Sequence, residues 1–399
     1  MAVIIVNQPS YPNVSHTNLI YEITSDKANQ PQFQYVMDVK LGAALLARIK
    51  QYPNPQGKAV FDPAKIFNDY LEYPTSVLTQ FNVQGFGTSD RTFNVFFGEQ
   101  YAANFTSPVT LYSGAGTQVG DPAVAGVNAR VFPGTVDPNN GISFNWLDLN
   151  SSPTWLTNYP SNSGTTEGVN IENYHPLSVT DYAVLGQYGG GQANLYLRNA
   201  AGGSLASVNF GVVDSLTYLP IGPKNLLARG ISQTILDQTA YSYVTLGSSS
   251  NRYYYRWTEN CHYDRTNFLF INKYGAWDNF GITLPVSRDT NIRRDEIKRP
   301  FVNYSNDGRY NLQRRGLDYF NVDFQDRYSV STDWLNQDQA AWLTELIESP
   351  KVFVQANGSE LIPVVLTNSS YTSFTNKKSQ KTFEFILEYQ YANSRRSTQ

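Results

Sequence analysis

Residues 382–391 alternate without a break: Phe383, Phe385, Leu387, Tyr389 and Tyr391 fall on one side, and Glu384, Ile386, Glu388 and Gln390 on the other. Side chains of a pleated strand point to opposite faces in turn, so a period of two sends one row into a core. The same pattern, or a short apolar run bounded by turn residues, recurs at 3–6, 19–24, 33–39, 193–198, 207–213, 252–257, 268–272, 280–284, 352–355 and 361–367. Residues 43–50 fit either a strand or a short helix. Gly, Pro, Asn and Ser fill the gaps, as at 189–191, 201–203 and Asn357-Gly358. A chain punctuated in this way folds as sheets.

Helical spacing is confined to two places. Asp62-Pro63 places a capping acid before a proline, and Ile66, Phe67, Tyr70 and Leu71 then share one face. Residues 334–348 carry Leu335, Trp342, Leu343, Leu346 and Ile347 on one stripe, and Pro350 ends it. The fold class is therefore mostly β with a few short helices. We expect an immunoglobulin- or fibronectin-like β-sandwich over residues 1–100. Residues 101–175, with Gly114, Gly116, Gly120, Gly126, Gly134 and Gly141 among many Pro, Asn and Ser, read as a loop or interface arm. Residues 176–399 read as one or more further β-rich domains with the C-terminal helix and closing strands.

Charged residues make up only 16% of the chain, below the roughly 25% of ordinary globular proteins, while 28 Tyr and 22 Phe bring the aromatics to 14%. Tyrosine joins an apolar ring to a hydroxyl that tolerates a wet interface, so the composition favours sheets and surfaces that meet other protein. A net charge of −3 argues against a nucleic-acid-binding surface across the molecule. Arg293, Arg294, Lys298 and Arg299 are interleaved with Asp295 and Glu296, the pattern of a solvated face. Cys261 has no partner for an intrachain disulfide, which fits synthesis in a reducing cytosol. The apolar start at residues 1–7 lacks the features of a signal peptide, and no apolar run is long enough for a spanning helix, so we expect a soluble chain without membrane insertion.

Catalytic patterns are sparse. His16, His175 and His262 show no metal-ligand spacing, and adjacent Cys261 and His262 would point to opposite faces of a strand. Neither G-x-S-x-G nor a P-loop occurs, and Gly85-Phe86-Gly87 and Gly114-Ala115-Gly116 lack the context of a dinucleotide loop. Asp137-Pro138-Asn139-Asn140-Gly141 lacks the distal acid of a calcium loop. Asp278 beside Trp277 and Glu259 beside Trp257 are the least implausible acid pair for sugar hydrolysis, yet a solvent-facing acid beside a core aromatic describes each better. Trp257, Trp277, Trp334 and Trp342 occupy positions that suit core aromatics. We therefore assign no catalytic, cofactor-binding or metal-binding residue and expect no enzyme.

Three blocks carry a resemblance. The first is Phe33, Tyr35, Val36, Asp38 and Val39 followed by Arg48-Ile49-Lys50, Pro53-Asn54-Pro55 and Phe61-Asp62. The second joins Cys261-His262-Tyr263 to Phe268-Leu269-Phe270-Ile271-Asn272-Lys273 and Gly275-Ala276-Trp277-Asp278. The third runs from Trp342-Leu343 and Glu345-Leu346-Ile347 through Ser349-Pro350-Lys351-Val352 to Ile362-Pro363-Val364 and Ala392-Asn393. Together they resemble uncharacterised virion proteins of tailed bacteriophages, the crAss-like phages included. The resemblance implies a neck, tail-ring or appendage component, located in the virion, whose partners are other virion proteins and copies of itself. It transfers no catalytic residue. Two other readings stay open. A receptor- or carbohydrate-binding fibre module would take a host-surface glycan as partner, with Trp155 or Trp277 exposed on loops. A glycan-degrading depolymerase would need two acids in a cleft.

Overall fold

The computed structural model describes residues 3–11, 13–116, 118–135, 154–160, 162–163, 174–189, 191–213, 216–247, 251–258, 263, 265–298, 317–356, 360–367 and 382–393. Two sheets close over the first core. The smaller joins Ile4–Asn7, Tyr21–Thr24 and Lys58–Phe61, with Tyr21–Thr24 in the middle. The larger runs in the order Asn13–His16, Ala129–Thr135, Arg91–Tyr101, Gln34–Leu41 and Ala44–Gln51, with Thr110–Tyr112 and Val124–Ala125 also paired to Arg91–Tyr101. Tyr21, Ile23 and Phe61 meet Tyr35, Met37, Val39, Phe93, Phe97 and Val131 in one buried cluster, which makes this unit a β-sandwich.

Several local expectations change. Residues 44–51 are strand, not helix. Gln34–Leu41 is covered on both faces: Asp38 is fully buried, and Arg48 reaches across from the neighbouring strand to hold both its oxygens at 2.7 Å. The first helix is short, Ala64–Asp69, with the Asp62 carboxylate accepting from the Ala64 and Leu19 N–H groups; Phe67 and Leu71 are buried but Tyr70 is exposed. The sandwich also runs past residue 100. Strands at 110–112, 124–125 and 129–135 return to pair with Arg91–Tyr101, so the start of the segment read as a loop or arm is sheet. Its residues 136–153 and 164–173 lie outside the described residues, as do Asp137, Asn139 and Gly141.

Three further sheets follow. Thr154–Trp155, Val184–Tyr188, Thr217–Pro220 and Gln84–Gly85 form one in that order. A second runs Asn162–Ser163, Asn251–Trp257, Tyr241–Leu246, Gly191–Arg198 and Ser204–Val213, with His175–Leu177 lying parallel to Asn251–Trp257. The third is ordered Trp277–Ile282, Thr266–Ile271, Val352–Ala356, Glu360–Leu366, Ile386–Tyr391, Leu317–Ser331 and Val286–Lys298. Phe383, Phe385, Leu387 and Tyr389 are buried and Ile386 is exposed, as the alternation at 382–391 requires. The long helix spans Gln337–Glu348. It starts later than the apolar stripe because Leu335 is drawn into a bridge with Phe383, and Asn336 closes a capping box with Gln339. Its Trp342, Leu343 and Leu346 pack into the core that holds Phe268 and Phe270.

One turn links the sandwich to this larger body. Asn272–Ala276 joins Thr266–Ile271 to Trp277–Ile282, and the Asn272 side chain closes it by accepting from the Tyr274 and Ala276 N–H groups. Gly275 sits at φ +74°, where a Cβ would lie 1.5 Å from the Pro133 carbonyl oxygen. Only glycine permits that approach. Phe132 and Val14 from the sandwich share a buried cluster with Leu156, Tyr218, Ile271 and Trp277.

Candidate functional site

The strands Val286–Lys298 and Leu317–Ser331 form a two-stranded ribbon. Among the described residues only Tyr328–Ser331 also pairs with a third strand, Ile386–Tyr391, and Gln325 donates to the Gln390 side chain just beyond. From Asp289 and Arg327 outward the ribbon runs about 30 Å at 3.4 Å per residue with no third strand paired to it among the described residues. Every residue of Val286–Lys298 is exposed except half-buried Asp295.

Cross-strand register sorts the side chains. Ile292 faces Phe324, Arg294 faces Val322, and beyond the irregularity between Asp295 and Glu296, Glu296 faces Tyr319 and Lys298 faces Leu317. Directly paired residues share a face. One face therefore carries Ile292, Leu317, Tyr319, Val322, Phe324 and Tyr328 interleaved with Arg288, Thr290, Arg294, Glu296, Lys298 and Asp326, while the other holds Asp289, Asn291, Arg293, Asp323, Gln325 and Arg327 with Ile297 among them. Ile292, Leu317 and Tyr319 are 38–46% exposed. The Arg294 guanidinium sits 5.8 Å from the Tyr319 ring centre, and Tyr328 stacks at 5.2 Å on Tyr389, rooting that face in the body. A lone two-stranded hairpin is marginal in water. Exposed aromatic and aliphatic side chains clustered among charges in this way mark interaction surfaces. Alternating charges along Val286–Lys298 oppose addition of another strand to that edge, so the face is the part suited to docking.

The chemically suggestive side chains lie elsewhere, around the Asn272–Ala276 turn. Asp278 is buried, and its Oδ2 accepts from Thr157 Oγ1 at 2.8 Å, Asn272 Nδ2 at 3.0 Å and Trp342 Nε1 at 3.2 Å. Burial pushes its carboxyl up to about 6, with those donors pulling the other way. Glu345 accepts from Asn158 Nδ2 at 2.5 Å through one oxygen and from the Lys273 N–H at 3.0 Å through the other; burial pushes it up to about 7. It lines a cleft of about 320 Å³ with Glu348, Lys273, His16 and Tyr73. A raised acid with a second carboxylate one helical turn on has the composition of an acid–base site. Both Glu345 oxygens, however, are committed to holding the turn, and Asp278 does not line the cleft. These acids clamp the Asn272–Ala276 turn to the helix.

The remaining sequence candidates scatter. His175 is buried among Tyr159, Tyr255, Phe280 and Trp342, and burial, with Arg265 adding to it, holds its imidazole down to about 3. His16 is exposed; Glu259, Cys261, His262 and Arg299 lie outside the described residues. Among the described residues no group of three or more His, Cys, Asp and Glu could hold a metal ion, and no helix is long and apolar enough to cross a membrane. Trp155 and Trp277 are buried, so neither is a loop-borne stacking residue. Trp257, Trp277 and Trp342 are core aromatics, but Trp334 is not: it is 67% exposed, because it precedes Leu335, whose bridge to Phe383 turns the chain inward. The ribbon itself escaped the sequence reading. Its first strand shows only the charged pattern, and its row of exposed aromatic and aliphatic side chains emerges once Leu317–Ser331 is paired with it.

No protein-family model matches the chain, and no curated protein is similar to it. Among solved structures it is similar to the native conformation of E. coli alpha-2-macroglobulin, at 8% identity and a TM-score of 0.19, covering 97% of this chain and 23% of that one. It is also similar to the BSP domain of a biofilm associated protein, at 8% identity and a TM-score of 0.16, covering 93% of this chain and 67% of that one. The chain thus spans under a quarter of the first structure's length, and at these TM-scores neither likeness bears on fold or function.

Proposed function

We propose that this chain is a non-enzymatic structural component of a bacteriophage particle that works by protein–protein assembly, with the ribbon Val286–Lys298/Leu317–Ser331 as its docking arm. The observation that carries the assembly reading is the row of exposed Ile292, Leu317 and Tyr319 on one face of the ribbon, beside which no third strand pairs beyond Tyr328 among the described residues. Ordering a two-stranded arm with Ile292, Tyr319 and Leu317 in water is unfavourable until something covers them. The particle assignment draws on the phage resemblance around Asn272–Asp278 and Trp342–Val352, on the low charge and on the abundant tyrosine. The partners are other virion proteins and copies of this chain, and its location is a neck, tail-ring or appendage. The acids that resemble a hydrolytic pair are occupied as clamps, which favours a scaffold over a depolymerase.

Quantitative mass spectrometry of particles purified from the source phage tests the assignment. A virion component is present in a fixed number of copies per particle. A chain abundant in infected cells but missing from purified particles overturns it.

A further inference from the structure

The exposed Trp334 borders a cleft of about 410 Å³ at the start of the long helix, lined also by the capping pair Asn336 and Gln339, within the roughly 300–1,000 Å³ of small-molecule sites. Tyr159, Tyr174 and Trp342 supply further aromatic wall, and Asp333, Gln339 and Thr258 supply polar groups around it. We propose that this cleft binds a neutral pyranose, stacked on the Trp334 indole.

The chemistry of the lining selects that ligand. A pyranose has an apolar C–H face and a rim of hydroxyls, so it needs one flat aromatic surface and several short polar groups at its edge. Trp334 offers the surface: its indole is 67% exposed at the cleft and presents a flat ring face to it. Asp333 and Thr258 offer a carboxylate and a hydroxyl at the rim. Tyr159 packs into the wall beneath the cleft, 5% exposed, with its hydroxyl enclosed beside the Gln339 side chain, whose Oε1 accepts from the Asn336 N–H.

Charge narrows the class. Among the described lining residues the charged one is Asp333, with no lysine, arginine or histidine, so a uronic or sialic acid would meet repulsion from it. A neutral hexose or N-acetylhexosamine meets none. A proline-rich peptide is the main competitor for aromatic walls, but it needs a groove that follows several residues, whereas this cleft is the size of one or two sugar rings. The inference depends neither on the ribbon nor on the phage assignment.

Saturation-transfer NMR of the full chain tests it with methyl glucoside, methyl galactoside, methyl N-acetylglucosaminide, methyl glucuronide and a decaproline peptide as probes. Binding of at least one neutral glycoside is expected, weakened about tenfold or more by Trp334→Ala and only mildly by Trp334→Tyr, which keeps a ring. Trp334 is exposed, so both variants keep the far-UV circular dichroism of the parent. Absence of binding by every neutral glycoside, binding that Trp334→Ala leaves intact, preference for the glucuronide, or binding of the peptide alone would each overturn the proposal.

Discussion

Glu345→Gln removes one ionisable group from the junction between the Asn272–Ala276 turn and the long helix while keeping its shape. In the folded protein burial raises this carboxyl from its ordinary 4.5 to about 7. The folded state therefore keeps a proton that the unfolded chain gives up. Its stabilising contribution is fully present below pH 4.5 and is lost as pH rises through 7, a loss of roughly 3 kcal/mol at about 1.4 kcal/mol per tenfold. Gln has one carbonyl oxygen, so it can accept from Asn158 or from the Lys273 N–H but not from both, which costs about 1 kcal/mol at every pH. The variant is then about 1 kcal/mol less stable than the parent at pH 4 and roughly 2 kcal/mol more stable at pH 8.5, with a crossover between about pH 5 and 6. Urea unfolding followed by tryptophan fluorescence reads the difference at each pH, and groups common to both proteins cancel. A difference of constant sign and size from pH 4 to 8.5 would refute the reasoning, as would a parent that gains on the variant as pH rises.

Other substitutions follow from the same contacts. Gly275→Ala drives a Cβ into the Pro133 carbonyl at a positive φ, so we expect a loss of roughly 3 kcal/mol or more, read as a lowered Tm together with earlier proteolysis of the sandwich. Arg265→Ala leaves Asp181 buried without the guanidinium now 3.0 Å away, with an expected loss of about 3–5 kcal/mol by urea titration; an unchanged midpoint would show the pair to be dispensable. Ile292→Ser combined with Phe324→Ser leaves the unfolding free energy within about 1 kcal/mol of the parent's, since both lie on the ribbon, while self-association falls; a large loss of stability would place these residues in the core instead.

The sheets were legible because their signal is local. Residues 382–391 and 268–272 state their burial in their own alternation or apolar run, and the structure agrees except at half-buried Tyr391. Burial on both faces of Gln34–Leu41 was not legible, because Asp38 reads as polar until Arg48 on the next strand neutralises it. The extension of the sandwich to Thr135 was hidden by glycines and prolines that punctuate short strands as readily as loops. For the candidate sites the obstacle was pairing. Alternation along Val286–Lys298 alone shows Arg, Asp and Ile in mixture, and the partner strand supplies the tyrosine and phenylalanine that give one face its exposed aromatics. Trp334 was misread for a related reason. Its place next to a helical stripe suggests burial, whereas the Leu335–Phe383 bridge ends the strand-like approach and leaves the indole outside.

Assembly through the ribbon is the central claim, and light scattering of the purified chain beside a version in which residues 290–326 are replaced by an Asn-Gly turn tests it most directly. That cut joins Asp289 to Arg327, which already face each other, and keeps the pairing of Tyr328 with Tyr389. The account predicts an oligomer for the full chain and a folded species at the monomer mass for the shortened one. A full chain that stays at 44.8 kDa at all concentrations, or an oligomer that survives the cut unchanged, would contradict it.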